Sequence, residues 1–347
     1  MPGDDGGRIA EMTRAGLAAA VRVARGQGLP GDDPQVLSSR GNVVVHLRPA
    51  PVVARVATLT AWTRRDPFRW LAREVAVAGY AAGQGGPVVA PTALADPGPH
   101  WSNGLAVSLW AWVPPSQARP GPAEIGEALA RLHLAAAGFP GDLPLLSPLR
   151  AQISEGLAAL EREHVADPAV VAALRARHAQ VLAELDGVSG PALVLHGDAH
   201  AGNILRAEAA RSGAAPSAVA RSPGASPDPS WLWIDLEETC RGPCVFDLAV
   251  MIRGLGADDA ATVLASYASV TGAPLPGPEG IARFDRARVL EGTVWTLGMA
   301  YQYPARYRKP AHDLVAEVLG QDAADRLSWP EASGAPANPG QGLRRAR

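Results

Sequence analysis

The sequence predicts an α+β protein built as two lobes. Three observations carry that reading. Short β-like apolar runs crowd the stretch from about residue 35 to 113. Helical periodicity dominates from residue 114 onward. Between the two, Pro114-Pro115 interrupts the pattern, so a connector is expected near Trp112–Ser116. The 347 residues suffice for a sizeable core, and a 47% hydrophobic content marks a globular chain.

Residues 1–34 are expected to form an N-terminal helical extension. From about Arg8 to Arg25, Ile9, Met12, Leu17, Ala20 and Val21 recur at helical spacing, and the Gly26–Pro34 stretch breaks the pattern. Residues 35–113 form the smaller, sheet-rich lobe. Val43–Leu47 and Val52–Val56 read as strands, with a turn at Pro49–Pro51. Asp66-Pro67 reads as an N-cap followed by proline at the first helical position, and the apolar face continues through Trp70, Leu71, Val75 and Val77. Pro87-Val88-Val89 and Leu105–Trp112 read as strands again.

Residues 114–330 form the larger lobe. Helices are expected over Ala123–Ala137, Ser154–Glu163, Pro168–Leu185, Phe246–Gly254, Asp258–Ser269, Gly280–Tyr301 and Ala311–Leu319. Pro191–Leu195 and Trp231–Leu236 are short apolar strands. Residues 207–230, rich in Ala, Ser, Pro and Gly, read as a flexible loop, and 331–347 as a disordered tail.

A formal net charge of −2 gives no electrostatic reason to expect nucleic acid or an anionic membrane as partner. Cys240 and Cys244 are too few for a disulfide framework and read as unpaired structural thiols. The polar N-terminus lacks the pattern of a signal peptide. No apolar run reaches the roughly 18–20 residues that span a bilayer. A cytoplasmic location is the expectation; the oligomeric state is open.

Two segments concentrate the chemistry. In Leu193–Leu205 an apolar strand runs into a polar loop with the arrangement H-x-D-x-x-x-x-N, carried by His196, Asp198 and Asn203. In phosphoryl transfer an Asp so placed accepts the proton of the attacking hydroxyl, and the Asn oxygen binds Mg²⁺. Such a hard cation also wants a carboxylate. Asp235, at the end of the apolar run Trp231–Ile234, supplies one. Asp198 alone could equally be a turn residue or a cap. His196 reads as structural, its ring bonding backbone. A zinc site of His196, Asp198 and His200 is the other option, with no companion Cys or Glu at metal-ligand spacing.

These segments resemble the aminoglycoside phosphotransferase family, which includes choline-kinase-like and homoserine-kinase-like enzymes. The resemblance rests on His196-Gly197-Asp198-Ala199-His200-Ala201-Gly202-Asn203, on Ile234-Asp235-Leu236-Glu237, and on Phe246-Asp247-Leu248-Ala249. Gly126–His133 is similar to the family's first helix of the large lobe. The likeness spans about residues 35–325 and is more specific in the large lobe.

It implies a bilobal protein-kinase-like fold, with a small antiparallel-sheet N-lobe carrying one main helix and a larger, mostly helical C-lobe. It implies Mg²⁺ and ATP or GTP, with a small hydroxyl-bearing acceptor. Asp198 matches the catalytic base, and Asn203 and Asp235 match the metal ligands. Glu237 matches an acidic position that either assists a second metal or holds the loop. Asp247 matches a brace of the catalytic loop. Ser38–Asn42, with Ser39 and Gly41, sits where the loop over the phosphates belongs, without a G-x-G-x-x-G pattern. Arg55 stands where the family carries a phosphate-binding Lys, and Glu74 is its candidate partner. Arg is permanently charged and grips phosphate bidentately, so the role can survive with altered geometry.

The nucleotide base is expected against Ser108–Val113, where Trp110 and Trp112 share a face; the alternative is that these two pack the lobes together. Glu291, Trp295, Tyr301 and Tyr303 could serve the acceptor, with core or surface roles as the alternative. The sequence therefore leads to a small-molecule O-kinase acting on an aminoglycoside-like, amino-alcohol or sugar acceptor. Arg55 motivates the alternative of a catalytically weak nucleotide-binding regulator.

Overall fold

The structure is a computed structural model that describes residues 5–58, 66–114, 116–188, 192–207, 231–327 and 329. The first helix, α1 (Asp5–Gly26), precedes strands β1 (Asp33–Ser38), β2 (Val43–Arg48) and β3 (Val52–Val56). Helix α2 (Pro67–Gly83) follows, then β4 (His100–Ser102) and β5 (Leu105–Ala111). These five strands form one antiparallel sheet in the order β1-β2-β3-β5-β4. β1 and β4 were not anticipated from the sequence. Pro87–Val89 is no strand of this sheet; Val88 makes one isolated bridge, to Trp233.

The period of two along the strands assigns each face. Val43, Val45 and Leu47 of β2, Val52, Ala54 and Val56 of β3, and Val107 and Leu109 of β5 pack on one face. Ala19, Ala20, Val23 and Ala24 of α1 cover that face. α1 thus supplies the layer that closes the small lobe's core. Its first turn reaches the large lobe, where Arg8 Nη1 donates to the Gln302 carbonyl (3.0 Å) and Asp5 accepts from the Arg306 N–H (3.1 Å). The opposite face, turned to the large lobe, carries His46, Val53, Arg55, Ser108 and Trp110; the register pairs His46 with Val53, Val53 with Trp110 and Arg55 with Ser108.

The large lobe contains α3 (Pro122–Ala136), α4 (Ile153–Arg162), α5 (Pro168–Asp186), α6 (Val245–Ile252), α7 (Ala257–Thr271), α8 (Pro278–Gln302), α9 (Pro304–Leu319) and α10 (Gln321–Ala324). Two short antiparallel ribbons lie among them. One joins β6 (Leu193–Leu195) to β9 (Cys240–Gly242), the other β7 (Ile204–Arg206) to β8 (Trp231–Trp233). The flexible loop expected at 207–230 lies outside the described residues from 208 on, as does the tail at 331–347.

A second core joins the lobes. Val77, Ala78 and Ala81 of α2 and Trp110 of β5 pack with Ile125, Leu129 and Leu132 of α3 and Trp233 of β8. α2 starts as its sequence signals: the Asp66 carboxylate accepts from the Arg69 N–H (3.1 Å), and Pro67 stands first in the helix. Trp110 is therefore a lobe-packing aromatic, while Trp112 stacks on His46 with ring centroids 3.8 Å apart.

Helices α3 and α7 pack tightly at Gly126. A Cβ added at Gly126 would lie 2.3 Å from the Val263 carbonyl oxygen, so only glycine lets the backbones approach this far. Gly126→Val is expected to lower stability by about 1–3 kcal/mol, as overpacked cores do, measured by urea denaturation at pH 7.

Candidate active site

The site begins with one buried carboxylate. Asp247, in the first turn of α6, is fully buried. Its Oδ2 accepts from the His196 backbone N–H (2.7 Å) and from His133 Nε2–H (2.9 Å), and its Oδ1 accepts from the Gly197 N–H (2.9 Å). Tyr267 of α7 completes the chain by donating to His133 Nδ1 (2.8 Å). The bracing that the resemblance implied for Asp247 is thus present as three hydrogen bonds. It fixes the loop that leaves β6.

Gly197 takes φ +87°, and a Cβ there would sit 2.1 Å from the Glu238 carbonyl oxygen. Only glycine fits both the conformation and the space. The His196 ring is wholly buried. Its Nε2–H donates to the Ile234 carbonyl (3.0 Å), and its Nδ1 accepts from the Asp198 N–H (3.3 Å). Burial lowers its pKa, so the ring is neutral. With both nitrogens on backbone, His196 cannot join a zinc site.

Asn203 and Asp235 meet across the second ribbon. Ile204 pairs with Trp233, and the Ile234 N–H donates to the Asn203 carbonyl (2.9 Å). The Asn203 amide donates to the Asp198 carbonyl (3.0 Å), which ties both ends of the loop together and leaves its side-chain oxygen as the acceptor. Asp235 has φ 65° and ψ 50°, a left-handed conformation uncommon outside glycine. Such strain persists where the surroundings enforce it, and it is frequent at functional sites.

Arg55 is the electrostatic centre on the small-lobe side. Its Nη1 donates to Glu74 Oε1 (2.5 Å), and its Nη2 to Asp235 Oδ1 (2.5 Å) and Glu237 Oε2 (2.7 Å). The pair with Glu74 expected from the sequence forms. Glu237 also accepts from Asn42 (3.2 Å), and Thr58 donates to the Gly41 carbonyl (3.2 Å). Glu237 therefore holds Arg55 and the end of the β1–β2 loop that contains Ser39 and Gly41. No described side-chain hydrogen bond involves Ser39.

Three carboxylates face one guanidinium, an excess of negative charge. Burial raises the Glu74 carboxyl to about 8, against the pull of Arg55. Burial likewise raises Asp235, with Glu237 and Asp198 adding like charge. A divalent cation fits such surroundings. Its protein ligands would be the Asp235 carboxylate and the Asn203 amide oxygen, both hard donors, with phosphate oxygens and water completing the shell. Among the described residues no group of three or more His, Cys, Asp or Glu is arranged to hold a metal, so protein alone would not enclose it.

The sequence reading missed Arg288. It lies on α8, and its Nη2 donates to Asp198 Oδ1 (2.5 Å). Its Nη1 donates to Glu238 Oε2 (3.1 Å) and lies 3.0 Å from Glu291 Oε2. Glu291 thus anchors an arginine that reaches Asp198. Burial alone would raise the Asp198 carboxyl; Arg288, helped by His200, holds it well below the usual carboxylate range. The one signal in the sequence was a basic residue one helical turn before Glu291, at the start of an apolar stretch. Tyr303 is buried and packs with Ile9 and Met12 of α1, while Trp295 joins that cluster and also lines a small hollow with Glu291, Gln152 and Val294.

The chain was compared with known proteins. Residues 36–214, half of the chain, match the family model described as "Phosphotransferase enzyme family". No curated protein matches the sequence. Among solved structures, a choline/ethanolamine kinase family protein from Mesorhizobium loti has a TM-score of 0.57 at 18% identity, covering 91% of this chain and 97% of that one. An amicoumacin kinase in complex with AMP-PNP, Ca²⁺ and Ami has a TM-score of 0.58 at 11% identity, covering 82% and 87%. An aminoglycoside-3'-phosphotransferase of type VIII has a TM-score of 0.54 at 18% identity, covering 81% and 99%. The fold is the bilobal protein-kinase-like one.

Two outcomes test this geometry. Asp247→Ala would strand two backbone N–H groups and His133, and is expected to cost about 3 kcal/mol or more in urea denaturation. The depressed Asp198 carboxyl contributes stability that is present above its unfolded value and lost as pH falls toward its folded one. The stability advantage of wild type over Asp198→Asn should therefore shrink as pH drops below about 4, in denaturation curves recorded from pH 7 to pH 3.

Proposed function

The chain belongs to the phosphotransferase enzyme family, and on that premise we propose that it moves the γ-phosphate of ATP or GTP to a hydroxyl of an aminoglycoside-like, amino-alcohol or sugar acceptor. The observation that carries the reading is one chain of contacts: the Asn203 amide bonds the Asp198 carbonyl, the Asn203 carbonyl takes the N–H of Ile234 beside Asp235, and Asp235 bonds the Arg55 that Glu74 holds.

In this reading Asp198 is the base. The acceptor O–H proton passes to its carboxylate as the acceptor oxygen bonds to the γ-phosphorus. The bond from that phosphorus to the β–γ bridging oxygen breaks, and the nucleoside diphosphate leaves. Mg²⁺ bound by Asn203 and Asp235 would supply charge neutralisation of the triphosphate. Arg55 faces the same cleft and would grip phosphate oxygens once the nucleotide competes for its guanidinium. The backbone around Ser39 and Gly41 would cover the phosphates. Glu74 positions Arg55 and does not touch the nucleotide.

No helix among the described residues is long and apolar enough to cross a membrane. The cytoplasm, where nucleoside triphosphate is abundant, is the location that suits this reading. A weak nucleotide-binding regulator is the second reading, favoured by Arg55 being held by three carboxylates. Under it, ATP would raise the melting temperature only with Mg²⁺ present, and no acceptor would be phosphorylated.

The deciding experiment is a transfer screen with radiolabelled ATP and GTP over aminoglycosides, other antibiotics, amino alcohols and sugars. At least one acceptor is expected to be labelled. Asp198→Asn should lower that transfer by about 100-fold or more while Mg-nucleotide binding, read by calorimetry, stays near wild type. Asp235→Ala should instead weaken Mg-nucleotide binding. Full transfer by Asp198→Asn would refute the base assignment.

A further inference from the structure

We propose that Arg288 is a positioning residue for Asp198, fixing one carboxylate oxygen so that the other faces the acceptor hydroxyl. The inference rests on the reading of Asp198 as the base.

The two oxygens of Asp198 have different surroundings. Oδ1 is taken by Arg288 Nη2 at 2.5 Å. Oδ2 lies 3.6 Å from His200 Nε2, beyond a normal hydrogen bond. A proton arriving from an acceptor therefore has one oxygen to go to. The guanidinium is itself held from behind. Glu238 in the turn after Asp235, and Glu291 one helical turn along α8, both bind Nη1 and leave Nη2 for Asp198. Both glutamates are largely buried, with side chains 9% and 7% exposed.

Stability is a poor explanation for this arrangement. Bringing one guanidinium and three carboxylates out of water costs several kcal/mol per ion, and apolar packing would often do as well. A functional need explains it better. Asp198 is faced by Glu238 from its turn, Glu291 from α8, Asp235 across the ribbon, and His196 and His200 from its own loop. The contact limits rotation: an Asp anchored through Oδ1 presents Oδ2 in a fixed direction, and fixed geometry is worth much of a barrier in group transfer.

The contact could instead be a latch that blocks the base until an acceptor displaces Arg288. The two ideas give opposite rates on removal of the arginine. The test uses the full chain with Arg288→Met, which keeps length and removes charge, and with Arg288→Lys. A double variant, Arg288→Met with Glu291→Gln, removes the charge of one carboxylate that Arg288 binds and guards against misfolding.

The measurement is ADP release from MgATP with water as acceptor, with Asp198→Asn run beside it. In the Met variants kcat should fall about tenfold or more with KM for MgATP nearly unchanged, and Lys should restore most of the rate.

An unchanged kcat in a folded Met variant, while Asp198→Asn loses activity, would overturn the proposal. So would a rise in kcat, the signature of a latch. If wild type and Asp198→Asn release ADP equally, it is instead the reading of Asp198 as the base that fails.

Discussion

Arg55 reaches three carboxylates from two separate parts of the chain. Glu74 comes from α2, and Asp235 and Glu237 come from the turn after β8. The guanidinium itself stands on β3, in the middle of the small-lobe sheet. One side chain thus ties sheet, helix and metal-ligand turn together. It can do so because its planar fork offers several donors at once, which a lysine ammonium cannot match in geometry. The cost of burying it is met only because every arm finds an acidic partner. Asp235 keeps its left-handed backbone within this cluster.

Arg288 mirrors the arrangement on the large-lobe side. It too is bound by three carboxylates, one of them Asp198. The two acidic residues to which the chemistry is assigned each carry an arginine, and the two arginines come from opposite lobes. Behind them stands a scaffold of backbone hydrogen bonds. Asp247 takes the backbone of the loop, His196 reads the backbone on both of its nitrogens, and the Asn203 amide closes the loop on the Asp198 carbonyl. Charged contacts set the protonation states, and backbone hydrogen bonds set the positions.

The remaining structure keeps these groups in register. α1 covers the outer face of the sheet and so frees the inner face for Arg55 and the lobe contact. Trp110, Trp233 and the small residues of α2 fill the joint between lobes. Where α3 and α7 meet backbone to backbone, at Gly126, the chain gives up a side chain altogether. The sheet, the joint and the helical lobe form a continuous frame from α1 to α9.

Much of this was readable in one dimension. Helix and strand periodicities are local properties, so β2, β3, β5 and most helices fall where the apolar spacing put them, and the Asp66-Pro67 start of α2 is a local signal too. Asp198, Asn203 and Asp235 stood out because each lies beside an apolar strand in a short polar break. Arg55 and Glu74 could be paired because a charge inside an apolar strand demands a partner. β1 and β4 were missed because they are edge strands whose sequences carry little apolar alternation. Pro87–Val89 looked like a strand but meets its partner at a single bridge. Arg288 lies 90 residues from Asp198 along the chain, and nothing local to it announces an acid at that distance. The sequence by itself determined the element types, the lobe order and the acidic residues. Only the tertiary structure decided which arginine holds which carboxylate, because an ion pair depends on distances that folding alone creates.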